Sequence, residues 1–419
     1  MKSHLTTILF LLYISFFSGL VFSFPAVSSI STGLLFIFGM IDNASRSQPL
    51  ISTRAKNSFL LFCSLFYGLV LLGVLWSTDS IQAWSHVREK SGLLFIPLSL
   101  CCCDFIDAAE RKKLMKAFSL LLAVASVYCF VISLSGFFRT GNAFFLFYHP
   151  LVAPLRQHAI HFSVYIFIAI VYAIENLRKS DPLFSRTTDI VLISFFSIFL
   201  FLLSSKLVIG FLLLYSVYSV VQLLRIPGKT RVMQLFFGTI LLGSILLIVT
   251  KNPIGTRFRD MTKGSFEKIR QESFTPGDYF YPVQFRLLEW RFTAEILNEN
   301  KAWLYGVSAG DAQTWLDKKY ISKNMYIGEP ERGDRGMLGY NTHNEFLEAT
   351  LQFGIPGTVV MLLIVFSVAR IIRRQKKRGL SFILLLLLAY LCTESLFETQ
   401  YGLLLFTFFP LFMSLDKEK

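Results

Sequence analysis

The stretch AFSLLLAVASVYCFVISLSGF, residues 117–137, decides the fold. It contains no charged residue and no proline, and Arg111, Lys112, Lys113 and Lys116 stand directly before it. At about 1.5 Å per residue such a helix is roughly 30 Å long, the thickness of a bilayer's hydrocarbon core. The run therefore reads as a membrane-spanning helix, with the basic cluster marking its cytoplasmic end.

Outward from this segment, apolar runs recur at 4–23, 26–42, 58–76, 88–104, 159–176, 188–204, 207–224, 232–250, 345–369, 379–396 and 401–415. The run 88–104 is the weakest, because its continuous apolar part extends only from Gly92 to Cys103. Composition agrees: 54% of residues are hydrophobic and 16% charged. A soluble domain carries about 25% charged residues, so this chain has too little polar surface to face water. The expected fold is an all-α integral membrane protein with about twelve transmembrane helices. No internal repeat is visible.

The positive-inside rule orients the bundle. With the N-terminus in the cytoplasm, 22 of the 41 Lys and Arg residues fall in cytoplasmic segments. These are Lys2, Arg46, Arg54, Lys56, Arg111, Lys112, Lys113, Lys116, Arg178, Lys179, Arg186, Arg225, Lys229 and Arg231, then the Arg370–Arg378 cluster, Lys417 and Lys419. The short outer loops receive only Arg88, Lys90, Arg139, Arg156 and Lys206. The expected organisation is helices 1–9 over residues 1–250, a large periplasmic loop over 251–344, and helices 10–12 over 345–419. The first run lacks a small-residue cleavage site around Phe22 to Pro25, so it reads as an uncleaved span. The net charge of +14 follows from the basic cytoplasmic face, which anionic lipid attracts. It gives no reason to expect nucleic acid as a partner; membrane lipids are expected instead. Cys63, Cys101, Cys102, Cys103, Cys129 and Cys392 lie in or beside apolar runs and read as small apolar residues of membrane helices.

The long loop is the part with soluble-protein character. Its stretch DYFYPVQFRLLEWRFTAEILNEN, residues 278–300, predicts an amphipathic helix from Pro282 to about Asn298, with Arg291 spaced to pair with Glu295. Six glycines between Gly306 and Gly339 predict irregular chain with short helices beyond it.

The loop re-enters the membrane through YNTHNEFLEATLQFGIPG, residues 340–357. His343 and Asn344 fall at the start of a span, where free backbone N–H groups favour an anion. A histidine there can act as a base on a hydroxyl, while an asparagine can equally cap the helix. His149, His158 and His161, around the third outer loop, lack the spacing of a metal site and read as interfacial or groove residues; no metal is expected. Arg88 is a candidate to face the same groove. Glu394 and Glu398, at the outer end of the eleventh run, are functional candidates as ionisable groups near membrane depth.

His343-Asn344, followed by apolar residues and then Gly354 and Gly357, resembles the C-terminal signature of the O-antigen ligase and O-antigen polymerase family. Arg286, Trp290 and LYGVSAGD (Leu304 to Asp311) resemble that family's loop segment. LLSSKLVIG (Leu202 to Gly210) resembles a third segment, with Lys206 standing where the family carries Arg, so a bidentate clamp becomes a point charge. The resemblance covers about residues 190–415. It implies a multi-pass protein of the bacterial inner membrane with both termini cytoplasmic. It also implies a glycosyltransferase that uses no cofactor and no metal and takes an undecaprenyl-diphosphate-linked glycan as donor. The acceptor would be lipid A-core for a ligase, or another lipid-linked repeat unit for a polymerase. His343 and Arg286 would be catalytic, with Lys206, Asn344, Arg291, Arg88 and His161 in the substrate groove. A flippase for the same lipid-linked glycans is the competing class, although flippases tend to show repeated halves.

Overall fold

A computed structural model describes residues 2–47, 58–101, 105–178, 181–224, 238, 253–260, 263–375 and 377–414. All regular structure among them is helical. The first half contains α1 (Lys2–Val21), α2 (Pro25–Ser45), α3 (Ser58–Gly73), α4 (Ser80–Glu89), α5 (Gly92–Cys101), α6 (Ala108–Thr140), α7 (Tyr148–Val152) and α8 (Ala159–Arg178). The second half contains α9 (Arg186–Leu202), α10 (Lys206–Leu224), α11 (Pro253–Arg259), α12 (Pro282–Glu299), α13 (Ala312–Ser322), α14 (Glu345–Gln375), α15 (Arg378–Leu391) and α16 (Gln400–Ser414).

Among the described residues, six helices are long and apolar enough to cross a membrane: His4–Val21, Pro25–Ser45, Ser58–Trp76, Ala108–Thr140, Ala159–Arg178 and Glu345–Gln375. Lys206–Gln222, Arg378–Leu391 and Gln400–Ser414 are apolar but shorter. The expected run 232–250 lies outside the described residues, apart from Gly238. So do Cys102, Cys103 and the basic residues Arg54, Lys56, Lys179, Arg225, Lys229, Arg231, Lys376, Lys417 and Lys419.

The run 117–137 sits inside α6. Asp107 caps that helix by accepting from the Glu110 N–H, and Gly141 ends it in the left-handed conformation at φ 68°. The weak run 88–104 divides: Arg88 and Glu89 end the polar helix α4, the chain turns at Lys90 and Ser91, and α5 begins only at Gly92. Ten residues make a helix of about 15 Å, half the hydrocarbon thickness. The physical reason for the split is Lys90, whose ammonium is taken up by Glu398 at 2.7 Å and so lies in protein, away from lipid.

Polar contacts sort the connecting segments into two groups at opposite ends of the bundle. At one end Gln157 donates to the Leu20 carbonyl, Gln400 to Ser29, Lys90 to Glu398, and the residue 77–79 turn to Asp311. At the other, Lys112 pairs with Asp181, Arg111 donates to the Phe412 carbonyl, and Arg378 donates to the Tyr218 hydroxyl. Segments 253–260 and 263–344 belong with the first group, which is also the side on which the sequence expects the short outer loops.

The loop forms its own small core. Phe285, Leu288, Phe292 and Ile296 of α12 bury against Leu316 and Tyr320 of α13, with Phe274 and Phe280 beside them. The amphipathic helix is found at Pro282–Glu299, and Arg291 pairs with Glu295 at 2.6 Å as its spacing predicts.

A break in α14 joins this loop to the bundle. Gly354 leaves the helix at φ 67° and ψ −162°. In a continuous helix the Gln352 carbonyl would accept from residue 356, but Pro356 has no N–H. The Ser308 N–H supplies that bond at 3.1 Å, the Val307 N–H reaches the Leu351 carbonyl at 2.7 Å, and the Ile355 N–H turns to the Trp303 carbonyl at 2.8 Å. Irregular backbone at the mouth of a membrane bundle persists only with such substitutes. The fit is close: a Cβ on Gly354 would lie 2.5 Å from the Leu304 carbonyl carbon, and one on Gly306 would lie 2.4 Å from the Gln352 backbone.

Gly354→Ala should therefore lower thermal stability in detergent, with backbone strain alone costing about 1–3 kcal/mol. Gly68→Ala in α3, where a Cβ would meet nothing within 4 Å, should not. Equal melting of the two variants would show that the loop is not locked at this break.

Candidate functional site

Residues of α7, α8, α10, α11, α12 and α15, with the turn after α15, line a cavity of about 460 Å³ next to the docked loop. Lys206, at the start of α10, and Arg286, in the first turns of α12, both line it, together with Glu394 beyond the end of α15. Its remaining wall is mainly apolar, with Leu207, Phe211 and Leu214 following one another down α10. Leu214 is 59% exposed on the outside of the bundle. A charged head therefore leads into an apolar strip on a membrane helix. Two buried hydroxyls, Ser205 Oγ and Tyr390 Oη, also face the cavity and have no hydrogen-bond partner among the described residues. Burying a hydroxyl without a partner is costly.

Arg286 is already oriented. Its Nε donates to the Thr393 carbonyl at 3.1 Å and its Nη2 to Glu394 at 2.7 Å. Lys206, Arg286 and Glu394 thus bring two cationic side chains and a carboxylate to the same wall.

Glu289 follows Arg286 by three residues, about one turn of α12, and is fully buried. Its carboxylate meets His343 Nδ1 at 2.9 and 3.0 Å. Burial pushes the Glu289 carboxyl up to about 7, with the His343 contact pulling the other way. Burial opposes charge on His343, but the Glu289 hydrogen bond and charge outweigh it and raise the imidazole above its ordinary value. With Nδ1 held by the carboxylate, Nε2 is the nitrogen left for a reacting proton, and it has no hydrogen bond among the described residues. Arg286 and Glu394 also act electrostatically on His343. His343 is not itself in the cavity wall; it connects to that wall through α12.

The backbone at His343 is left-handed, with φ 45°, which costs a non-glycine residue unless its neighbours enforce it. They do. Asn341 Oδ1 accepts from the His343 N–H at 3.0 Å. Thr342 gives its carbonyl to the Trp290 indole at 3.1 Å, and its N–H and hydroxyl both reach Glu348. Asn344 Oδ1 caps α14 by accepting from the Phe346 and Leu347 N–H groups at 3.0 and 3.2 Å. Asn344 is thus the cap of this helix, and its amide donates to the Cys392 carbonyl at 3.3 Å.

The other expected groove residues are elsewhere. Arg291 turns from the cavity and is used up by Glu295 and the Ile269 and Gln271 carbonyls, which pin the start of the loop to α12. Arg88 lines a separate cavity of about 530 Å³ with Ser29, Thr32 and Gln400. His161 is 6% exposed in the first turn of α8, with its ring 5.7 Å from that of Tyr390 and 4.9 Å from that of His158. It stands behind the cavity's Tyr390 wall.

Sequence reasoning overlooked Glu289. The available signal was its place on the stripe Phe285, Leu288, Phe292 and Ile296, where a carboxylate among core positions requires a partner.

All three matched segments meet here: Lys206 at the cavity head, Trp290 and Leu304–Asp311 at the His343 turn and the helix break, and His343-Asn344 with Gly354 and Gly357 along α14. No curated protein gives a significant match to the chain. Residues 190–362, which carry Lys206, Arg286, Glu289, His343 and Asn344, match the family model described as O-antigen ligase.

Proposed function

We propose that the protein transfers a glycan from undecaprenyl diphosphate to an acceptor hydroxyl at the outer face of the inner membrane, as a ligase with lipid A-core as acceptor. The family match over residues 190–362 supports the coarser statement: a membrane protein of O-antigen ligase or polymerase type that processes glycans. The observation that supports the transfer chemistry is α12, which points Arg286 into the cavity and, one turn on, holds His343 through Glu289. A phosphate site and an activated imidazole are thereby fixed to one rigid element.

In this reading the donor's diphosphate lies between Lys206 and Arg286, and its prenyl chain follows Leu207, Phe211 and Leu214. The acceptor oxygen attacks the anomeric carbon, and the bond from that carbon to the phosphate oxygen breaks. His343 Nε2 takes the acceptor's proton while Glu289 stabilises the resulting imidazolium. The departing diphosphate gains negative charge, which the guanidinium and ammonium offset. The reaction needs neither a nucleotide sugar nor a metal. A polymerase would use the same contacts with a lipid-linked repeat unit as acceptor. Deleting the gene separates the two: loss of a ligase strands polymer on its lipid carrier, whereas loss of a polymerase leaves single repeat units on the core.

His343→Ala and Arg286→Ala should each reduce transfer by about 10²-fold or more while still inserting and eluting as folded protein. Full transfer by either, read as capped lipopolysaccharide on a gel, removes the mechanism. A proteoliposome assay showing flipping without transfer would move the protein to the transporter class.

Because His343 works as a base with a raised pKa, transfer should fall as pH drops through that value and hold above it. Glu289→Gln removes the charge that favours the imidazolium. It should move the acid limb to lower pH and lower kcat by roughly 10²-fold, since an amide can also select the wrong ring tautomer. A pH–rate profile identical to wild type would exclude Glu289 from this role.

A further inference from the structure

Lys90 follows α4 in what the sequence presents as a short hydrophilic loop, yet its side chain is 1% exposed. Its Nζ donates to Glu398 and to the Gln352 side-chain oxygen, each at 2.7 Å. The Gln352 amide nitrogen donates to Glu398 and to Glu348 Oε1, each at 2.8 Å. Glu348 Oε2 receives the Thr342 hydroxyl at 2.9 Å and the Thr342 N–H at 3.2 Å. The next residue is His343. An unbroken chain of hydrogen bonds therefore runs from α4, through the first half of α14, to the strained turn that carries the proposed base.

The chain's charge balance depends on Lys90. Glu345, Glu348 and Glu398 crowd together, and the basic side chains acting on them are Lys90 and His86. Without the ammonium, Gln352 and Glu398 lose their common donor and the crowded carboxylates repel. Glu348 is then free to leave Thr342. Buried hydrogen-bonded charges act as a unit, so a defect at one end is felt at the other. Gln352 is also the residue whose carbonyl receives Ser308 at the helix break, which fixes the middle of the chain.

We propose that Lys90 is a positioning residue for His343: through Gln352 and Glu348 it holds Thr342 so that the imidazole stays against Glu289. The inference rests on the reading of His343 as the base. The other groups facing that imidazole are Arg286 from α12, Glu394 beyond α15, His158 before α8, and the Tyr340 ring at 5.7 Å. None of them belongs to the Lys90 chain.

The test is a transfer assay on full-length protein in nanodiscs, with a lipid-linked donor and a purified acceptor. It compares Lys90→Met and Thr342→Val with wild type, rates being normalised to folded protein. Displacing a reacting group by about 1 Å can cost on the order of 10²-fold, so each variant should lose kcat on that scale with donor KM within about twofold. Each should also move the acid limb of the pH–rate profile to lower pH, because the imidazole loses the Glu289 contact that raises it. Should Lys90→Met fail to fold, Thr342→Val probes the other end of the chain with a smaller perturbation. Unchanged kcat, or a loss with an unmoved acid limb in Thr342→Val, overturns the proposal. His343→Ala with full activity would instead overturn the functional reading beneath it.

Discussion

At Gly354 the helix that brings the chain back into the bundle loses its own hydrogen bonds, and the Leu304–Asp311 segment replaces them. Much else at the loop end of the bundle depends on that exchange. A carbonyl facing Pro356 has no helical donor, and at a membrane mouth water is a poor substitute. The Ser308 and Val307 N–H groups fill the gap, and Asp311 then ties the same segment to Thr78 and Asp79 ahead of α4. A loop of soluble character becomes a fixed lid on the bundle, and α12 acquires a definite place over the cavity.

Once α12 is fixed, its periodicity does two jobs. One face of the helix packs on α13 and closes the loop's small core. Arg286, at the edge of that face, reaches the cavity and Glu394, while Glu289 reaches His343. The two contacts differ in kind. Arg286 keeps its side chain partly open to the cavity, where an anion can compete for it. Glu289 is buried, and its carboxylate is hydrogen-bonded to His343. In the proposed mechanism this arrangement separates anion recognition from proton transfer, although both come from neighbouring turns of one helix.

The polar interior at the loop end of the bundle follows the same logic on a larger scale. Lys90, Glu398, Gln352, Glu348 and Thr342 would each be costly alone in an apolar bundle. Linked, they satisfy one another and connect α4 to the His343 turn. The left-handed backbone at His343 is the place where this order becomes visible, since nothing in the residue's own preference supports it.

Hydrophobic periodicity alone yielded the helical class, the amphipathic helix at Pro282 and the ion pair of Arg291 with Glu295, because these depend on spacing within a single segment. The same logic misread residues 88–91 as part of a span, since a charge at the end of an apolar run does not reveal that its partner, Glu398, lies about 300 residues away. The cavity's pairing of Lys206 with Arg286, the burial of Glu289, and the placement of Arg291 and Arg88 away from the cavity needed coordinates for a related reason. A side chain's direction around a helix can be read from its neighbours in sequence. What it meets there is set by which other helix packs against that face. The sequence by itself determined which segments are helical and which residue types could do the chemistry. Tertiary structure decided which of them share a site, because hydrogen bonds and charge pairs act over about 3 Å and only packing brings distant segments that close.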